Sequence, residues 1–179
     1  MLKLKSWIFG VGALLSAGAA QGAVTNEPYA TVGDWDITAD NQQQCSMSQI
    51  FGSKVAEEIQ LLGVTYHSQK GLALSWVSNK PRYLPSDGSI GLHLAFLKGS
   101  SSNETWGKRA FSYRKVDRAY YFNHVFAGPT DIDRILRDLS ASEIISLNLG
   151  PTLMMALPLN AADAIKKLRE CTTAGERAR

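Results

Sequence analysis

The segment from Glu143 to Cys171, EIISLNLGPTLMMALPLNAADAIKKLREC, decides how the rest of the chain is read. Ile144 to Leu149 and Leu153 to Leu157 are apolar runs of strand length, separated by Gly150-Pro151, a turn or strand break. The period then changes. Ala161, Ala164, Ile165 and Leu168 fall on one helical face, and Lys166, Lys167 and Arg169 on the other. Asn160 is placed to cap this helix, with Asp163 at its third position. The helix ends on Cys171, one of only two cysteines, and the other, Cys45, stands near the opposite end of the chain.

Working outward, the beginning of the chain has a different character. Lys3 and Lys5 precede an apolar run from Trp7 to Ala17 and a zone of small residues, Gly18 to Ala23. This is the three-part pattern of a secretory signal peptide, and the run is too short for a comfortable membrane span. Cleavage after Gly22 or Ala23 leaves a single domain over residues 24–179, with no later stretch apolar enough to cross a bilayer. An exported protein, periplasmic or secreted, meets an oxidising environment, where an even pair of cysteines is bridged. A Cys45–Cys171 disulfide would close almost the whole domain and contribute about 4–5 kcal/mol by loop entropy. Two free thiols are the other reading, but two distant thiols supply too few ligands for zinc or copper.

Losing Lys3 and Lys5 takes the formal charge from +3 to about +1. Such a balance gives no electrostatic case for nucleic acid as a partner.

Between the cysteines the pattern is mainly of period two. Thr31 to Thr38 (TVGDWDIT) alternates as one half-buried strand with Trp35 as a core anchor. Ala39 to Gln44 is a polar turn, Cys45 to Phe51 a strand and Gly52 to Ala56 a further turn. Glu57 to His67, with Gly63 as a bulge, forms a hairpin with Gly71 to Val77. The loop Ser78 to Ser89 follows, with an Asp87-Gly88 turn signal and Lys80, Arg82 and Tyr83 as residues a ligand can meet. Ile90 to Leu97 is again strand, and Lys98 to Asn103 a turn.

Glu104 to Lys115 and Arg118 to Ala127 make an aromatic-rich hairpin turning at Val116-Asp117. Its interleaved basic and aromatic residues, Trp106, Arg114, Arg118 and Tyr121 among them, suit stacking on sugars, peptides or single-stranded nucleic acid; plain β propensity accounts for the same enrichment. After Gly128, Ile132, Ile135, Leu136 and Leu139 form the apolar stripe of a helix capped by Thr130, with Asp133–Arg137 and Arg134–Asp138 as i,i+4 pairs. Residues 172–179 are a polar tail expected to fray. The whole is an α+β domain, mainly β: an antiparallel curved sheet or sandwich capped by two short helices.

GDWDIT followed by CSMSQI near the start, with LPLNAADAIKKL at the end, resembles the invasion-associated locus B family. The resemblance covers the two ends, about a quarter of the chain, and the additional mid-chain cysteines of typical members are missing. It implies an exported, β-rich, non-catalytic accessory protein of the bacterial envelope and assigns no residue a role.

No cofactor or metal motif is present. His67, His93 and His124 lie in separate strand patterns without metal-ligand spacing, and no G-x-S-x-G, H-E-x-x-H or phosphate-binding loop occurs. The functional expectation is a binding module for a protein or envelope component, using Arg82, Tyr83, Trp106, Arg114 and Arg118. A small hydrolase with a histidine-centred site, and a carbohydrate binder stacking sugars on Trp106 or Tyr121, are the alternatives.

Overall fold

The computed structural model describes residues 26–40, 44–53, 58–67, 69–79, 84–99 and 102–177. The expected signal peptide, residues 41–43 and 54–56 expected in turns, and Glu57 expected to open a strand lie outside them. The described residues form ten strands and two helices. The strands are β1 (Asn26–Val32), β2 (Trp35–Asp40), β3 (Cys45–Ser53), β4 (Glu58–His67), β5 (Gly71–Ser78), β6 (Asp87–Lys98), β7 (Ser102–Val116), β8 (Ala119–Phe126), β9 (Ile144–Leu149) and β10 (Thr152–Pro158). The helices are α1 (Pro129–Ala141), between β8 and β9, and α2 (Ala162–Arg177), after β10. All strands join one curved, unclosed antiparallel sheet in the order β1-β2-β3-β4-β5-β8-β7-β6-β9-β10. The mainly β expectation holds, as a single sheet.

One face of the sheet carries the core. β5 alternates without a break, with Leu72, Leu74, Trp76 and Ser78 buried. Trp35 and Ile37 on β2, Met47 on β3, Leu62 and Val64 on β4 and Phe122 on β8 face the same way. The stripe Ile132, Ile135, Leu136 and Leu139 of α1 and the face Ala164, Ile165 and Leu168 of α2 pack into the same cluster. α2 lies against β1 to β4, and α1 against β5, β6 and α2. Apolar alternation in the strands thus meets 3.6-residue periodicity in the helices, and one dry layer satisfies both.

The expected disulfide is present. Cys45 at the start of β3 is bonded to Cys171 in α2, with Cα atoms 6.1 Å apart across 126 positions. Both cysteines are buried, so the bridge fastens α2 onto the core side of the sheet.

Several boundaries differ from the sequence expectations. Thr31 to Thr38 is two strands, because Gly33, at φ +58°, opens a two-residue turn between Val32 and Trp35. Gly63 is no bulge: it pairs in continuous register with Ser48 and Ser75. Asp87, Gly88 and Ser89 leave the expected loop and begin β6, opposite Arg114, Tyr113 and Ser112. The β7–β8 hairpin turns on Asp117-Arg118, since Val116 pairs with Ala119 and Asp117 takes φ 53°. Gly128, not Thr130, is the N-cap of α1, because Pro129 at the first position has no N–H to satisfy. α2 begins after Ala161, whose carbonyl accepts from Ile165 N at 2.8 Å, one residue beyond the expected Asn160 cap. It continues past Cys171 through Arg177, and Thr172 Oγ1 donates to the Leu168 carbonyl at 2.9 Å, where a frayed tail was expected.

Trp106 is the most consequential correction. Alternation from Phe111 and Tyr113 would place it on the solvent face. A bulge intervenes, with Leu94 facing Gly107 and Ala95 facing Thr105, so Trp106 is the extra residue. Gly107 at φ +64° permits it, and the indole swings inward to 4% exposure. Its ring is therefore closed to the sugar or ligand stacking expected of it.

Candidate binding surface

The helix-free face of the sheet holds what remains of the expected site. Register places Ile50, Leu61, Val77, Tyr121, Arg114 and Asp87 in one row across β3, β4, β5, β8, β7 and β6. All but Asp87 stand one step from a residue packed in the core on their own strand, so the row faces outward. Ile50 is 70% exposed, and Ile59 beside it is 58% exposed because its cross-strand partner is Gly52. The row thus runs from an exposed apolar corner to the exposed cross-strand pair of Arg114 and Asp87. Val116 and Arg118, both exposed, extend its basic end at the tip of the β7–β8 hairpin.

The loop between β5 and β6 belongs to the same end of the sheet. Asn79 Oδ1 accepts from Ile59 N at 3.3 Å and fixes its first residue against the exposed isoleucine. Lys115 N donates to the Ser86 carbonyl at 2.6 Å, and Tyr120 Oη donates to the Leu84 carbonyl at 2.6 Å. The loop is therefore joined to the hairpin by two bonds and to β4 by a third. Arg82 and Tyr83 lie outside the described residues. Arg114 and Arg118 are brought together with this loop, and Trp106 is not. Lys115 leans to the other face, with Nζ 5.4 Å from the centroid of the Tyr120 ring.

The sequence reading missed Ile50, Ile59, Leu61 and Val77 as surface residues. Each sits at the polar phase of its own strand, which was visible. That they line up beside Tyr121 and Arg114 follows from the non-sequential pairing of β5 with β8, which was not.

The histidines are dispersed over β4, β6 and β8. His67 is buried, and its Nδ1 accepts from Gln69 N at 3.1 Å and Lys70 N at 3.2 Å, which folds the β4–β5 turn. His124 Nδ1 lies 2.9 Å from the Ala110 carbonyl, and its ring is edge-on to Phe126 with centroids 4.5 Å apart. His93 is exposed on the helix-free face. Among the described residues no three His, Cys, Asp or Glu side chains converge to hold a metal. On α2, the hydrogen bond from Lys167 Nζ to Glu170 Oε2, 2.6 Å long, raises the lysine's pKa and lowers the carboxyl's.

No family model matches the chain, and no curated protein does. Among solved structures, the chain is similar to the crystal structure of invasion associated protein B from Bartonella henselae. The TM-score is 0.55 at 14% identity, over 85% of this chain and 99% of that one. The likeness is one of fold.

Proposed function

We propose that this chain is an exported bacterial envelope protein that acts as a non-catalytic binding or accessory module. It holds a protein or envelope component against the outward row from Ile50 to Arg114, together with Arg118 and the β5–β6 loop. The observation that carries this reading is the row itself. Exposed Ile50 leads through half-buried Leu61, Val77 and Tyr121 to exposed Arg114, and a loop is hydrogen-bonded alongside. A dry contact flanked by guanidinium groups is the usual anatomy of a protein-binding hot spot. The leader pattern and the buried disulfide support export, since a bridge of this kind forms in oxidising compartments. The fold likeness to an invasion-associated protein supports an envelope setting.

The test is capture from intact cells. A tag after Arg179 and in-cell cross-linking identify what the protein retains. Arg114→Ala with Arg118→Ala, and separately a shortened β5–β6 loop between Ser78 and Asp87, should weaken retention of a specific partner at least tenfold. Unchanged retention in both would place the contact elsewhere. The carbohydrate reading now rests on Tyr121 alone, and a glycan array without hits would remove it.

A further inference from the structure

We propose that a fork between β7 and β8 takes up an extended acidic peptide as an added strand. β7 pairs with β6 from Ser102, opposite Lys98, to Arg114, opposite Asp87. Its pairing with β8 covers only Ser112 to Val116 and stops where Ser112 faces Asn123, although β8 runs on to Phe126. Back from Phe111 the second margin of β7 has no strand paired with it. The sheet therefore holds an open margin in its interior as well as at its two ends.

Side chains keep the fork apart. His124 Nδ1 lies 2.9 Å from the Ala110 carbonyl, the group that Val125 N–H would meet if the ladder continued. On the helix side Phe126 meets the Trp106 indole edge-on, with centroids 5.1 Å apart, and forms a floor. Farther along, Arg134 of α1 donates to the Thr105 carbonyl at 3.3 Å. Thr105, Gly107, Lys108 and Ala110 are exposed on one wall, and Val125, at 41%, on the other.

Two features name the occupant. The first is backbone polarity. The Ala110 carbonyl faces β8, so alternation turns Ala110 N–H and both backbone groups of Lys108 the same way. On β8 the Asn123 carbonyl accepts from Ser112 Oγ at 3.2 Å, so Val125 likewise turns its N–H and C=O into the fork. Donors and acceptors alternating on two walls are matched by another extended chain; an apolar ligand leaves them unmet.

The second feature is charge. Thr105 to Val116 and Ala119 to Thr130, which include both walls, contain no Asp or Glu. Lys108 is exposed and Arg109 half-buried, and neither forms an ion pair with a described residue. Arg109 Nε is buried with no acceptor, and its Cζ lies 5.4 Å from the Trp106 ring centroid. Asp138, which Trp106 binds, is buried and already held by Arg134 and Arg137. Lys108 and Arg109 are neighbours on a strand and face opposite sides, so acids at adjacent positions of the peptide each find a cation. The fork lies along β7 from Arg114 and Arg118, and either site can fail without the other.

The experiment joins amide hydrogen exchange by NMR, on residues 24–179 with the disulfide intact, to selection from random peptides of about nine residues. In the free protein the Lys108 and Ala110 amides should exchange rapidly, and those of Arg109 and Phe111, which face β6, slowly. Selected peptides should be rich in Asp and Glu, and the tightest of them, once synthesised, should protect Lys108 and Ala110. Lys108→Glu should weaken its binding by about tenfold or more. Ala110→Pro removes a donor facing the fork and none facing β6, so it should abolish binding with the melting curve little changed. Slow exchange of Ala110 in the free protein would mean a closed fork and overturns the proposal. So does a selection without enrichment, or a peptide that binds both variants as tightly as wild type. A peptide lost in Arg114→Ala but retained by Lys108→Glu belongs to the other surface and also overturns it.

Discussion

Trp106 Nε1 donates a 2.8 Å hydrogen bond to Asp138 Oδ2, joining the bulge of β7 to the last turn of α1 across 32 positions. The carboxylate is 4% exposed, with Arg134 Nε 3.7 Å from Oδ2 and Arg137 Nε 3.5 Å from Oδ1. Arg134 also lies over the indole, its Cζ 4.4 Å from the ring centroid. A buried acid is thus held by a donor from the sheet and by two cations of its own helix, which is the condition under which burial of a charge is tolerated.

Trp106→Phe keeps an aromatic ring in the core but removes the donor. It should lower stability by about 2–4 kcal/mol, since the Asp138 carboxylate stays buried without its neutral partner. Urea unfolding at constant slope reads this directly. A loss within about 0.5 kcal/mol would show that the two arginines suffice.

Cys171→Ala should cost about 2–5 kcal/mol in oxidised protein, because the long loop closed by the bridge is freed in the unfolded chain. The native contacts of Ala164, Ile165 and Leu168 remain, so the variant should fold and melt earlier. An unchanged melting curve would mean that the packing of α2 alone closes the domain.

Gly71 stands at φ +99°, and a Cβ there would lie 2.4 Å from the Phe126 carbonyl oxygen. Gly71→Ala must therefore move backbone where β5 pairs with β8, at a cost above about 2 kcal/mol. Gly33, at φ +58° with nothing within 4 Å, is the control. Gly33→Asn should change stability by less than about 1 kcal/mol. Thermal melts of the two variants should separate widely, and similar melting temperatures would contradict the close approach at Gly71.

The Lys167–Glu170 pair gives a pH dependence with a definite sign. The lowered carboxyl pKa of Glu170 means a contribution present at neutral pH and lost as acid protonates it. The raised pKa of Lys167 means a contribution lost as base removes its proton. Both side chains are substantially exposed, so the effect is small and screened by salt. Glu170→Gln should melt slightly below wild type near neutrality and coincide with it at both extremes. A gap that persists in acid would show that the carboxylate is not its source.

Much of the fold was legible because local periodicity is a local property. The strand at Cys45, the α1 stripe and the inward face of α2 can each be seen within about a dozen residues, and each is buried as its pattern requires. The disulfide was expected from the cysteine count and the leader pattern. Errors fell where one residue changes phase or direction. Gly33 splits a strand, Gly107 permits the bulge that inverts Trp106, and Pro129 shifts a helix start. Glycine and proline act there through backbone angles that side-chain alternation does not encode.

The candidate surface shows the same division. The sequence by itself determined that Arg114 and Arg118 are exposed beside a tight turn, that Cys45 and Cys171 form a pair, and that the chain is mainly β with two amphipathic helices. Only the tertiary structure decided that Ile50, Leu61, Val77 and Tyr121 lie in line with Arg114. Those neighbours depend on strand order, in which β5 pairs with β8 and β6 with β9. Strand order is settled by which faces bury together across long separations, a sum over the whole core that no single stretch of sequence contains.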